Sequence, residues 1–320
     1  MKMACGPYDR MEGLRYGAVQ PEGIDIEYLA ITPPHAIFAR MVANEEFDIC
    51  EMSAALYLME RPKGRFPFVA IPVFPSRVFR HGNIYVNRNA GITEPKDLEG
   101  KRVGLQEYRQ TAALWVRGIL RDEYGADTDA FNWVEGGTNA PRKANPQIDI
   151  RPDRALSITH LEDGDTLSAA LEAGRIDAML GAQRPMSFDS CDDVVQLFPD
   201  YRARERDYFK RTGIFPIMHT MVFREAVYAE NPWVAKSIFA ACEQSKTRAD
   251  QEMRFSSALR YMTPWLLDDI VEMDAVFGGD AWPYGLQANR RHLDTMQRYL
   301  IEEGFHSEVP PLDDLFIAVE

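Results

Sequence analysis

Short apolar runs that end in turn residues and give way to helical periodicity recur along the chain. FDIC (47–50) leads into EMSAALYLME (51–60), KRVGL (101–105) into QEYRQTAALWVRGILRDEYG (106–125), and IDAML (176–180) into GAQRP (181–185). Strand-like runs alternating with helical ones predict an α/β protein. The clearest helix follows Gly104: Thr111 is placed as its N-cap, and Ala112, Leu114, Trp115, Gly118, Ile119 and Leu120 supply an apolar face that runs to Tyr124-Gly125. LSAALEA (167–173) predicts a second helix, with Asp165 and Thr166 as candidate caps and Gly174 as its stop. NIYVN (83–87) reads as a strand, and the stretch 231–304 is helix-rich, opened by Asn-Pro-Trp and stopped at Gly304. EGGTNAPRKANPQIDIRPDR (135–154) is rich in Gly, Pro, Asn and charge, and predicts a long surface excursion with one strand at Ile148–Ile150.

With 320 residues, 46% hydrophobic and 27% charged, the chain is long enough for two cores, so two lobes are expected. Lys and Arg number 36 against 49 Asp and Glu, a formal charge of −13, which disfavours nucleic acid and anionic membranes as partners. An anionic ligand would need a local basic pocket. Cys5, Cys50, Cys191 and Cys242 form no CxxC pair, so neither a zinc knuckle nor a redox motif is expected. The first residues carry no apolar run of signal-peptide length and no stretch approaches a membrane span, so a cytoplasmic location is expected.

Six stretches read together give a resemblance: ACGPYDR (4–10), PEGIDI (21–26), EFDICEMS (46–53), PFVAIPVFPSRVFRHGNIYVN (67–87), DLEGKRVGLQEYRQTAALWVRGILRDEYG (97–125) and TGIFPIMHTMVFREAVYAENPWVA (212–235). In this order they resemble the 4,5-dihydroxyphthalate decarboxylase family, whose members are built like type II periplasmic solute-binding proteins. Arg109-Gln110 departs from the family's pattern, which puts the accepted ring substituents in question. The resemblance implies a two-lobed α/β fold with a ligand cleft between the lobes. Lobe I would comprise 1–82 and 219–320, lobe II 83–218, with crossover strands near 82–87 and 216–222. The implied activity is cofactor-independent decarboxylation of a hydroxylated aromatic acid. The alternative is a non-catalytic solute-binding or sensing protein for a small organic acid on the same scaffold.

Ligands of open α/β sheets sit beyond the carboxyl ends of the strands, which directs attention to the loops CGPYDR, EMS, PSRVFRH, EYRQT, GAQRP and MHT. Tyr8 or Arg10 lines the pocket, unless that loop is only a solvated turn. Glu51 and Ser53 stand where a helix begins, and Gln110 and Thr111 form a second helix start. Two such starts would suit a dicarboxylate. In PSRVFRH, Arg77, Arg80 and His81 fall within five residues. If the segment is extended, period two pairs Arg77 with His81, a guanidinium for a carboxylate beside an imidazole for a proton. A structural ion pair and a core histidine are the plain alternative.

His219 is the second proton-transfer candidate, and Arg184 would enter from lobe II. Tyr108 stands among aromatics suited to sandwich a ring. The catalytic candidates are therefore His81, His219 and Arg77. The substrate-binding candidates are Tyr8, Arg10, Glu51, Ser53, Arg80, Tyr108, Gln110, Thr111 and Arg184. The sequence contains no HxH, HExxH, GxGxxG, Walker or GxSxG motif, so no metal, nucleotide or nicotinamide cofactor is expected and no serine hydrolase. The apolar run PPLDDLFIAV (310–319) would dock on its own lobe or on a neighbour, and a homodimer is the expected assembly.

Overall fold

FVAIPVFPSR (68–77) is buried at every position, yet it contains two prolines that cannot donate to a sheet ladder. Both facts are met at a covered edge. In the computed structural model, which describes residues 1–142 and 150–319, this segment is an edge strand of a five-stranded sheet. The order is β2 (Glu27–Ala30), β1 (Lys2–Cys5), β3 (Ile49–Ser53), β11 (Ile217–Arg224), β4 (Phe68–Arg77). β1 runs parallel to β2 and β3, and β11 runs antiparallel to both β3 and β4. The C-terminal run closes the open edge: Phe316 bridges Ala70, the Ile317 N–H donates to the Ala70 carbonyl at 2.8 Å, and the Phe316 ring meets Tyr57 edge-on. Of the two docking expectations for residues 310–319, the structure shows the one on the chain's own unit.

That sheet belongs to a unit made of Met1–Arg77, Ile217–Asp294 and Pro310–Glu320. Asn-Pro-Trp does lead into a helix, Val234–Met253, which buries Val234, Ile238, Ala241, Cys242, Ser245 and Ala249, a stripe at helical spacing. Ser53 caps the helix Ala54–Glu60, its hydroxyl accepting from the Leu56 N–H at 3.3 Å.

The second unit comprises Val78–Pro216 and Thr295–Val309. Its six-stranded sheet has the order β10 (Val194–Gln196), β5 (Ile84–Asn87), β9 (Ala178–Leu180), β6 (Arg102–Leu105), β7 (Asn132–Glu135), β8 (Ile158–His160). The expected helix spans Thr111–Tyr124 and ends at Gly125, whose φ of 64° lets its N–H reach the Arg121 carbonyl. Its N-cap is Gln110, one residue before the expected Thr111, which is the first helical residue and is buried. Thr166 caps the helix Leu167–Glu172 through the Ala169 N–H, as expected.

The units change at Arg77/Val78 and Pro216/Ile217, so β5 lies wholly in the second unit and β11 wholly in the first. Thr295–Val309, placed with the first lobe from sequence, falls in the second unit. The strand expected at Ile148–Ile150 lies outside the described residues except for Ile150.

Candidate functional site

The directions of the first sheet's strands bring the carboxyl ends of β1, β3 and β4 to one edge, together with the start of β11. There, Glu51 is a fully buried carboxylate with several donors converging on it. One oxygen, Oε1, receives the Tyr8 hydroxyl at 2.7 Å and pairs with His219 Nδ1 at 2.6 Å. The other, Oε2, accepts the Gly6 N–H at 2.9 Å and faces the Cys5 thiol at 3.5 Å. Burial alone would raise this carboxyl. Burial is the largest single influence, but the attraction of His219 and the hydrogen bonds from His219, Tyr8 and Gly6 together outweigh it and hold Glu51 below its ordinary value. Burial and the Glu51 charge push the Tyr8 phenol up, so Tyr8 remains a donor.

An ionised Glu51 calls for hydrogen on Nδ1, which donates to it, so Nε2 is the nitrogen outside that bond. The His219 side chain keeps 19% of its surface exposed, and the ring rests edge-on against Phe38 with centroids 5.0 Å apart. This is an oriented acid–base side chain with one working nitrogen. In the same turn as Tyr8, the Arg10 guanidinium lies over the rings of Tyr8 and Trp282, its central carbon 4.2 and 4.4 Å from their centroids. Its Nε donates to the Pro75 carbonyl at 2.6 Å and its Nη1 to Asp9 at 3.0 Å. Arg10 and Trp282 also line a groove of about 830 Å³ with Lys246, Met253 and Met273.

Tyr8, Arg10, Glu51 and His219 are thus brought together, but Glu51 has a different part from the one expected. Saturated with donors, it orients His219 and cannot receive a carboxylate. Ser53 lies opposite His219 in the β3–β11 register, its hydroxyl used as the helix cap.

The pairing of Arg77 with His81 fails because its premise fails. β4 ends at Arg77, and His81–Asn83 is a 3-10 turn in the other unit. The Arg77 guanidinium is buried and donates to the Pro283 carbonyl at 2.9 Å and to Asn289, and burial lowers it to about 9. His81 is buried among Tyr208, Phe198 and Tyr124, ring centroids 5.4–6.1 Å away, and burial with Arg204 and Arg211 lowers it to about 4. Arg80 is likewise buried, donates to the Gly181 carbonyl at 3.4 Å, and is lowered by burial to about 10.

In the second unit, Tyr108 is a core residue. Its hydroxyl bonds Glu303, its carbonyl accepts from Arg117 at 2.8 Å, and the Arg117 guanidinium stacks 3.7 Å over its ring. Gln110 donates to Gln106 at 3.0 Å, and Arg184 is an exposed partner of Asp189 stacked on Phe188. Among the described residues no three His, Cys, Asp or Glu side chains are grouped to hold a metal ion, and no helix is long and apolar enough to cross a membrane.

A 4,5-dihydroxyphthalate decarboxylase from Comamonas testosteroni is 35% identical to this chain over 308 residues, covering 96% of the chain and 93% of that protein. The chain belongs to the 4,5-dihydroxyphthalate decarboxylase family. A second member of the family, from Pseudomonas putida, is 33% identical over 211 residues, 66% of this chain and 81% of that protein. The family model described as NMT1/THI5 like matches residues 20–152. Solved structures with the periplasmic binding protein fold align with nearly the whole chain. They include an aliphatic sulphonate binding protein of Escherichia coli (11% identity, 99% of this chain and 96% of that one, TM-score 0.54) and the ligand-binding component of an import system of Staphylococcus aureus (10%, 99% and 96%, TM-score 0.52). These likenesses establish the fold of this decarboxylase family member. The candidate site also includes Trp282 against Arg10 and Phe38 against His219, which no local pattern marks: each reaches the sheet edge from a segment distant in sequence, and only the fold could reveal it.

Proposed function

We propose that the protein is a non-oxidative decarboxylase of a hydroxylated phthalate-type acid such as 4,5-dihydroxyphthalate, with His219 as its proton donor. In that substrate a ring hydroxyl stands para to the departing carboxylate and feeds electrons into the ring. The reaction needs one proton: His219 Nε2 gives it to the ring carbon, the carbon–carboxylate bond breaks, its electron pair stays with the ring, and carbon dioxide leaves. Water then returns the proton to His219. Glu51 stabilises the imidazolium before transfer and fixes the ring's aim, the two services a buried carboxylate performs for a histidine. Arg10, its guanidinium over the rings of Tyr8 and Trp282, is the cation suited to the carboxylate that remains.

The observation that carries this reading is the Glu51–His219 pair at 2.6 Å, made through Nδ1, which leaves Nε2 as the nitrogen for proton transfer. Four cysteines, none of them disulfide-bonded, suit a reducing compartment, and we place the reaction in the cytoplasm. The test is His219→Asn. Steady-state kinetics should show kcat lower by about 10²–10⁴-fold, the usual size of general acid catalysis, in a variant that melts near the wild-type temperature. A folded His219→Asn protein with full turnover would remove His219 from the reaction.

A further inference from the structure

Glu51 depends on the turn Gly6-Pro7-Tyr8, which carries two of its donors, the Gly6 N–H and the Tyr8 hydroxyl. That turn is held in its own right from the neighbouring strand. The Tyr28 hydroxyl donates to the Gly6 carbonyl at 2.8 Å. Tyr28 stands opposite Met3 in the parallel β1–β2 register, so backbone pairing ties it to the strand that runs into the turn. Pro7 fixes one backbone angle. Gly6 supplies room: a Cβ there would stand 2.7 Å from two carbons of the Tyr8 ring, so only glycine lets that ring fold back to reach Glu51.

We infer that Tyr28 is a positioning residue for the acid–base pair, anchoring the Gly6 carbonyl so that Gly6 and Tyr8 both stay on Glu51 and Glu51 stays ionised beside His219. The Tyr28 hydroxyl acts on Glu51 indirectly, through the Gly6 carbonyl of the turn and beside the Cys5 thiol that faces Oε2. Burial and the neighbouring Cys5 push its phenol up, which keeps it a donor at neutral pH. Without the anchor both donors lose registration, the carboxylate is less stabilised, and the charged form of the pair becomes harder to maintain.

The inference rests on the decarboxylase reading for its kinetic arm only. Tyr28→Phe deletes one oxygen from a half-buried residue and leaves the ring in place. It should lower kcat by about tenfold with KM within about twofold and an almost unchanged melting temperature. Independently of turnover, a carbon-13 NMR titration of the side-chain carboxyls, with Glu51 assigned through Glu51→Gln, should show the Glu51 midpoint moving up in Tyr28→Phe. Gly6→Ala, which displaces the Tyr8 ring, should move it the same way. An unmoved Glu51 midpoint in folded Tyr28→Phe overturns the inference, whether or not kcat falls. If Tyr28→Phe does not fold, an unmoved midpoint in Gly6→Ala overturns it instead. A protein that turns over no substrate yet shows the Glu51 shift would keep the positioning role and lose the decarboxylase reading.

Discussion

Beside the 3-10 turn His81–Asn83, a half-buried carboxyl and a buried imidazole titrate in opposite senses. The Glu205 carboxylate accepts the Gly82 N–H at 3.1 Å, and burial raises it to about 7 against the pull of that bond. His81 is lowered to about 4, and His292, buried near Arg77, to about 3. A carboxyl raised on folding adds stability at low pH that is lost as pH rises through 7. A histidine lowered on folding adds stability above its ordinary value of about 6.5 that is lost as pH falls. Between pH 7 and pH 5 the two effects oppose one another. Glu205→Gln removes the first, so its melting temperature should fall more steeply from pH 7 to pH 5 than that of the wild type, as read by calorimetry. Parallel curves would show that Glu205 is not raised. At this scale Tyr8 and Arg10, expected in the loop after the first strand, do follow β1, whereas His219, expected in a loop, stands within β11, opposite Ser53. Arg77 and His81 were misread, because a period-two argument holds only while the chain stays extended, and here the strand stops at Arg77.

Helices were the most legible elements, since apolar spacing and a terminal glycine are local signals. The helix Thr111–Tyr124 shows what such signals omit. Gly118 looks like a weak point that alanine would improve by about 1 kcal/mol of propensity. In the structure it lies under the Tyr299 ring, into which an alanine Cβ would run, and Tyr299 is tethered through its hydroxyl to Asp122 at 2.9 Å. Overpacking costs of about 1–3 kcal/mol outweigh the propensity gain. Gly118→Ala should therefore lower the urea midpoint of unfolding, and a raised midpoint would mean that Tyr299 can swing aside. β4 was harder to read for a related reason. A fully buried ten-residue strand, apolar through its first eight positions and carrying two prolines, has no period of its own, and its place is decided by the tail that covers its edge.

For the molecule as a whole, a formal charge of −13 sits oddly with an anionic substrate until the local arrangement is considered. At the sheet edge the buried carboxylate of Glu51 is bonded by His219, Tyr8 and Gly6, while Arg10 lies against two aromatic rings, so the local electrostatics are set by a few side chains and not by the net charge. The resemblance carried by six stretches of sequence agrees with the family relationship, and the α/β pattern agrees with the two sheets. What it did not reveal were the partners that make a residue functional, such as Trp282 for Arg10 or the turn that serves Glu51, because these meet only through tertiary contacts. The central claim is proton delivery to the carbon that loses carbon dioxide. It is tested most directly by incubating the protein with 4,5-dihydroxyphthalate in deuterium oxide and following the ring protons by NMR. The account predicts a dihydroxybenzoate with one deuterium at the vacated carbon, formed in equal amount to the carbon dioxide released. Substrate that raises the melting temperature yet stays intact would contradict it and leave a binding protein in its place.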